Sequence, residues 1–200
     1  MKLYWCPQTR AFRGAWLLEE AGLPYERVYI KIRDPASTSN PAFRAASPMG
    51  KVPAIEDGTV RLWDSGAICA YVADQYPASR LAPPIGDPQR GDYLKWLMFT
   101  NSVIEPAMAE KYLNVTPNPS QNGWGSFDQM LTTLRAGLER GPWILGERFS
   151  AADVMLGTSC HFMRLFKAVT DEPLLFAYVD RCSARPAFQR ALTFEAEKPS

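Results

Sequence analysis

This chain of 200 residues lacks several features that would point to common functions. It holds one histidine, His161, and four cysteines, Cys6, Cys69, Cys160 and Cys182, none of them in a CxxC pair. A zinc site made from closely spaced Cys and His ligands is excluded on ligand count, and no metal is expected. Scattered cysteines without an export signal suit a reducing compartment, where they stay thiols. No apolar run approaches the roughly 20 residues a helix needs to span a bilayer. The opening MKLYWCPQTR has no long apolar stretch and no small-residue cleavage site. It does not read as a secretory signal, so a cytoplasmic location is expected. Charge of one sign is lacking too, since 22 Lys and Arg against 21 Asp and Glu leave a formal +1. Electrostatic nucleic-acid binding needs a clear basic excess, so it is not favoured. The same near-neutrality gives little repulsion between copies, which permits self-association.

What the chain does hold is ordinary globular composition, 46% hydrophobic and 22% charged, which argues against disorder. The patterning falls into two halves. Met1 to Trp5 reads as a short strand stopped by Pro7. Phe12, Ala15, Trp16 and Leu17/Leu18 recur near helical spacing, with Gly22 as the stop. Tyr25 to Ile32 alternates with an apolar Val28, Ile30, Ile32 face, a second strand. Asp34 to Pro48 is rich in Pro, Ser and Asn and reads as loop with one helical turn around Phe43. Val52 to Ile55 and Val60 to Trp63 form a hairpin around Asp57-Gly58. Asp64 or Ser65 then caps a helix through Val72. Pro77 to Pro88 holds four prolines and a glycine and reads as a linker. Beyond it, Arg90–Tyr112, Phe127–Arg140, Ser150–Thr170 and Pro173–Arg185 read as helices, with a last turn or two over Pro186–Leu192. The boundaries expected are an α/β domain over 1–77, a linker over 78–88 and an all-helical bundle over 89–200.

This layout resembles the cytosolic glutathione transferases, and four stretches carry the resemblance. Ser47-Pro48-Met49-Gly50-Lys51-Val52-Pro53-Ala54-Ile55 is similar to the family's approach to its cis proline. Leu62-Trp63-Asp64-Ser65-Gly66-Ala67-Ile68 resembles its acidic-Ser-x-Ala-Ile motif. Leu145-Gly146-Glu147-Arg148-Phe149-Ser150-Ala151-Ala152-Asp153 is similar to the helical domain's capping box. Tyr178-Val179-Asp180-Arg181 and Arg185-Pro186-Ala187-Phe188 resemble the C-terminal helices. Together they span essentially the whole chain, in order and at fitting separations. The resemblance implies a thioredoxin-like first domain, an all-α second domain and glutathione as co-substrate. It also implies a homodimer in which the first domain of one chain packs on the helical domain of the other.

The residues support specific roles under that resemblance. With Pro53 cis, the Val52 N–H and C=O would turn outward and pair with the extended tripeptide, a small case of strand addition. Asp64 and Ser65 form a helix cap, and the same N–H groups with the Ser65 hydroxyl suit the γ-glutamyl carboxylate, while Asp64 suits its ammonium. Lys51 flanks the tripeptide, and Lys31 and Arg33 lie at the end of the second strand. Ser150 and Asp153 form a capping box that nucleates a buried helix, with a cost of about 1 kcal/mol expected for either Ala substitution. Thr9 is the first candidate for activating the glutathione thiol, at the start of the first helix, with Arg10 in the same turn. Arg10 stands where the beta-class cysteine would be. Cys6, with Pro7 after it, is the rival, and a backbone group is the third possibility. Trp5, Met98, Asn101 and Met108, with Pro106 and Trp124, are candidate electrophile contacts at the domain boundary. Cys69, Cys160, Cys182 and His161 read as packing. Three functions stay open: transfer of glutathione to an electrophile, a disulfide reductase or peroxidase using Cys6, and a non-catalytic binding protein.

Overall fold

The computed structural model describes residues 1–197. The described chain divides into two compact units, Met1–Leu81 with the chain from Ala184 on, and Ala82–Ser183.

The first unit is built on a four-stranded sheet in the order β2-β1-β3-β4, where β1 is Lys2–Trp5, β2 Glu26–Tyr29, β3 Ala54–Asp57 and β4 Val60–Trp63. β1 and β2 run parallel, joined by the helix α1, Ala11–Ala21, as parallel neighbours require a crossover. β3 runs antiparallel to β1 and to β4, with Leu3 opposite Ile55 and Ile55 opposite Leu62. The side chains of Ala11 through Leu18 are all buried. Close approach is possible because Gly14 stands where a Cβ would lie 2.9 Å from the Leu3 side chain and 3.3 Å from Pro53. Gly22 ends α1 in a left-handed conformation at φ 64°, its N–H returning to the Glu19 and Leu18 carbonyls. On the other side of the sheet, Tyr4, Ile30, Phe43, Ala46 and Ala54 form a second cluster.

Asp34–Pro48 is more regular than its composition suggests. It forms α2, Pro35–Thr38, and α3, Pro41–Ala46. Asp34 and Asn40 each accept a backbone N–H as N-cap, and Pro35 and Pro41 each follow at a first helical position. The prolines that read as breakers are therefore helix starts. The hairpin turns between Asp57 and Val60, and α4, Ser65–Gln75, follows with Asp64 as its N-cap.

In the second unit, α5, Arg90–Phe99, runs through a π-helical turn at Thr100–Ile104 into α6, Glu105–Leu113. The expected single helix over Arg90–Tyr112 thus carries a bulge, and Thr100 lies buried within it, its hydroxyl without a partner among the described residues. α9, Pro173–Ser183, and α5 pack on α8, Ala151–Leu165, which is buried from Ala151 to Cys160, and α7, Phe127–Leu138, packs on α6 and α9. The last helix, α10, Pro186–Glu195, is a full element rather than a turn or two. It joins the first unit and not the helices before it. Phe188 packs edge-on against Phe12 and Trp16 of α1, each at 4.9 Å between ring centroids. Arg185 and Arg190 pair with Glu20 and Glu19 at the end of α1. No helix among the described residues is long and apolar enough to cross a membrane.

Candidate functional site

Three segments of the first unit hold the candidate residues. The first is the turn between β1 and α1. Its reversal takes only Cys6 to Arg10, and Gln8 adopts a left-handed backbone at φ 57°. The Thr9 hydroxyl donates to the Cys6 carbonyl at 2.7 Å and accepts the Ala11 N–H at 3.1 Å, so it caps the first turn of α1. Among the described residues the Thr9 N–H has no acceptor. Cys6 is buried, and that burial pushes its thiol above the ordinary value; the Ile32 backbone and Arg33 pull it down and the Glu195 carboxylate pushes it up.

The second segment is Ser47–Pro53. The Ser47 hydroxyl donates to the Lys51 carbonyl at 2.8 Å and accepts the Lys51 N–H at 3.0 Å, closing the turn. The Lys51 side chain is exposed. The Val52–Pro53 peptide bond is cis. Neither the N–H nor the C=O of Val52 has a hydrogen-bond partner among the described residues. β3 begins two residues later and is already paired on both sides, so this exit of the chain is where an extended ligand backbone could add.

The third segment is the N-terminus of α4. Asp64, exposed and at φ 73°, accepts the Gly66 and Ala67 N–H groups at 2.9 and 3.0 Å. Ser65 is buried, and its hydroxyl accepts from Arg13 Nη1 at 3.3 Å. Arg13 is only 1% exposed, a guanidinium inside the apolar face of α1. A buried positive charge beneath a helix N-terminus favours an anion there, since both contribute the same sign of potential.

Sequence reasoning missed Arg13, Gln8 and Glu195. Arg13 did carry a signal, as the one charged residue between Ala11 and Leu18, all of them buried. Gln8 and Glu195 meet from 187 positions apart, and no local pattern announces that.

The other candidates are dispersed. Trp5 is buried and packed against Tyr29 and Phe194, with the Arg27 guanidinium 4.9 Å over its ring, so its faces are taken up by packing. In the second unit, Met98 is exposed on α5, Asn101 half-buried in the π turn, and Met108 and Pro106 half-buried on α6. Trp124 is half-buried before α7, its indole N–H without a partner among the described residues. His161 is half-buried beside Phe162, and burial, helped by Arg164, holds its imidazole below the usual range. Lys31 and Arg33 are exposed beyond β2. Ser150 and Asp153 stand in the second unit as a capping box at the start of α8.

Comparison with known proteins agrees across both units. The family described as glutathione S-transferase, N-terminal domain, matches residues 5–75, and the glutathione S-transferase, C-terminal domain, matches residues 106–190. Glutathione S-transferase GstA of Escherichia coli O157:H7 is 27% identical over 203 residues, covering 99% of this chain and 100% of that protein. Among solved structures, a ternary complex of BphK, a bacterial glutathione transferase, superposes with a TM-score of 0.82 at 30% identity, covering 98% of this chain and 100% of that one. A sphingomonad glutathione S-transferase complexed with glutathione superposes at 0.80 and 29% identity, covering 99% and 100%. With both halves matched in order, and with the sheet, the capped α4 and the helical unit all present, the chain belongs to the glutathione S-transferase family.

Proposed function

We propose that the protein binds glutathione on its first unit and activates the thiol for attack on a small electrophile. The observation that carries this reading is the buried Arg13–Ser65 contact under the N-terminus of α4, in a chain whose family includes members solved with glutathione bound. The γ-glutamyl carboxylate meets the Ser65 hydroxyl and the first N–H groups of α4, with the Arg13 charge behind them. Asp64 faces the ammonium. Val52 offers its N–H and C=O to the cysteinyl backbone, and Lys51 flanks the chain.

The sulfur then lies at the start of α1. The helix N-terminus, the Thr9 N–H and the Arg10 charge favour the thiolate, which is the nucleophile. The Thr9 hydroxyl contributes when its proton, now given to the Cys6 carbonyl, is redirected to sulfur. The thiol proton leaves to solvent. The thiolate forms a bond to the electrophilic carbon, and the leaving group departs with the electron pair of the bond that breaks. A reductase route through Cys6 is not favoured, because that thiol is buried and pushed up, which lowers the thiolate fraction. We extend the reading to a cytoplasmic homodimer that serves detoxification, with Met98, Asn101 and Met108 as electrophile contacts. Exposed Val60 and Trp63 on β4, and Leu94 and Met98 one turn apart on α5, support self-association.

Calorimetry with glutathione on wild type and Ser65→Ala tests the binding half. Losing a hydrogen bond to a charged group should weaken affinity about tenfold or more. Titration of the bound thiol in wild type and Thr9→Ala tests the activating half. A bound-thiol pKa well below that of free glutathione, moved back up in Thr9→Ala, is the expected result. Absence of glutathione binding would overturn the transferase reading. Binding with a pKa indifferent to Thr9 would pass the activating role to the backbone at the start of α1.

A further inference from the structure

The turn from β1 into α1 is held from outside itself. Gln8 is not glycine, yet its backbone is left-handed at φ 57°, a conformation that disfavours side-chain-bearing residues. Its N–H is taken by the Glu195 carboxylate, carried on α10. We propose that Glu195, in the last turn of α10, is a positioning residue for the proposed thiol-activating turn, fixing Gln8 so that Thr9 and the start of α1 keep their geometry. The role rests on the transferase reading above.

Two further observations support it. An acidic residue at the C-terminal end of a helix opposes the helix dipole, so Glu195 is not there to stabilise α10. Glu195 is also half-buried, and burial pushes its carboxyl up while the Gln8 N–H pulls it down. Its own helix is anchored on either side of the contact. Arg27 on β2 lies 3.7 Å over the Phe194 ring and pairs with Glu197 at 2.9 Å. Arg190 and Arg185 tie α10 to Glu19 and Glu20 of α1. The acceptor that reaches Gln8 is thus carried on a helix fixed by side chains of β2 and of α1. The charged groups bearing on Cys6 in that turn are Glu195 and Arg33. What the Gln8 N–H needs is an acceptor oxygen, which a carboxamide also supplies.

The test compares wild type, Glu195→Ala and Glu195→Gln, with melting temperature as the check on folding. Glu195 is only partly buried, so both variants should fold. Hydrogen exchange at the Gln8 amide reads the turn without any substrate. The pH profile of kcat/KM, with glutathione and 1-chloro-2,4-dinitrobenzene as probe electrophile, reads the thiol. Glu195→Ala should speed Gln8 exchange about tenfold, raise the kinetic thiol pKa toward that of free glutathione, and lower kcat/KM near neutrality about tenfold. Glu195→Gln should keep Gln8 exchange and kcat/KM close to wild type and, having lost a charge that pushes a nearby thiol up, should not raise the thiol pKa. Unchanged exchange in Glu195→Ala, faster exchange with an unmoved pKa, or Glu195→Gln falling as far as Glu195→Ala would each overturn the role. A wild type with no lowered thiol pKa overturns the transferase reading itself; a lowered pKa that Glu195→Ala leaves in place overturns only the role of Glu195.

Discussion

Cys6 and Thr9 lie three residues apart and differ in environment. Cys6 closes β1 and is buried, while Thr9 opens α1 and stays half-exposed. Burial disfavours the charged form of a thiol, so Cys6 holds less thiolate at neutral pH than an exposed cysteine does. We expect iodoacetamide at pH 7.5 to label Cys6 in the folded protein at least about tenfold more slowly than in the urea-unfolded chain. Peptide mass spectrometry reads the ratio, and rapid labelling of the folded protein would return Cys6 to candidacy as a nucleophile. Ser65 is the converse case. Its place at a helix start was legible from sequence, since Asp-Ser before an apolar helical run is a start signal, with Asp64 as the cap and Ser65 as the first helical residue. The Arg13 guanidinium behind it was not, because hydrophobic periodicity assigns that helix face to the core without saying that one buried position carries charge.

Among elements, α8 shows how a local motif acquires a larger role. The capping box was readable as Ser150 and Asp153 three apart, and cap statistics alone gave both the same cost. Asp153 does more than cap. Its carboxylate accepts the Ser150 N–H and hydroxyl, the Ile144 N–H at 2.8 Å and the Tyr178 hydroxyl at 2.8 Å, all in the interior. Removing it strands several buried donors. We therefore expect Ser150→Ala to cost about 1 kcal/mol and Asp153→Ala about 3 kcal/mol or more. Urea titration of both variants checks the difference, and equal losses would mean that the Ile144 and Tyr178 contacts contribute little. The π turn between α5 and α6 was not legible. Thr100–Ile104 has ordinary helical composition, and Pro106, which lacks an N–H, is compatible with a first turn after the bulge as well as with a plain helix interruption.

At the scale of the whole molecule, the destination of α10 was not legible either. Its sequence is amphipathic, but an amphipathic stripe fits any apolar surface of the right width. The structure lays Phe188 on Phe12 and Trp16, both almost completely buried. Truncation before Ala184 would uncover these rings and take the Arg190 and Arg185 partners from Glu19 and Glu20. Each large aromatic exposed costs on the order of 2 kcal/mol, a sizeable fraction of a domain's stability. The 1–183 chain is expected to aggregate or to melt at least about 10 °C below the full chain in calorimetry. A truncated chain with an unchanged melting temperature would show that α10 adds nothing to the first unit.

The sequence by itself determined what lies within a turn or a strand of each residue. The order of the four strands with α1 and α4, the cap at Asp64 or Ser65, the stop at Gly22, the capping box at α8 and the family motifs all follow from spacings of a few positions, which local sterics and hydrogen bonding set. Tertiary structure alone decided the contacts that span long separations. Arg13 reaches Ser65 across 52 positions and Glu195 reaches Gln8 across 187. Periodicity states that a face is apolar, but which face it meets depends on packing the entire unit at once.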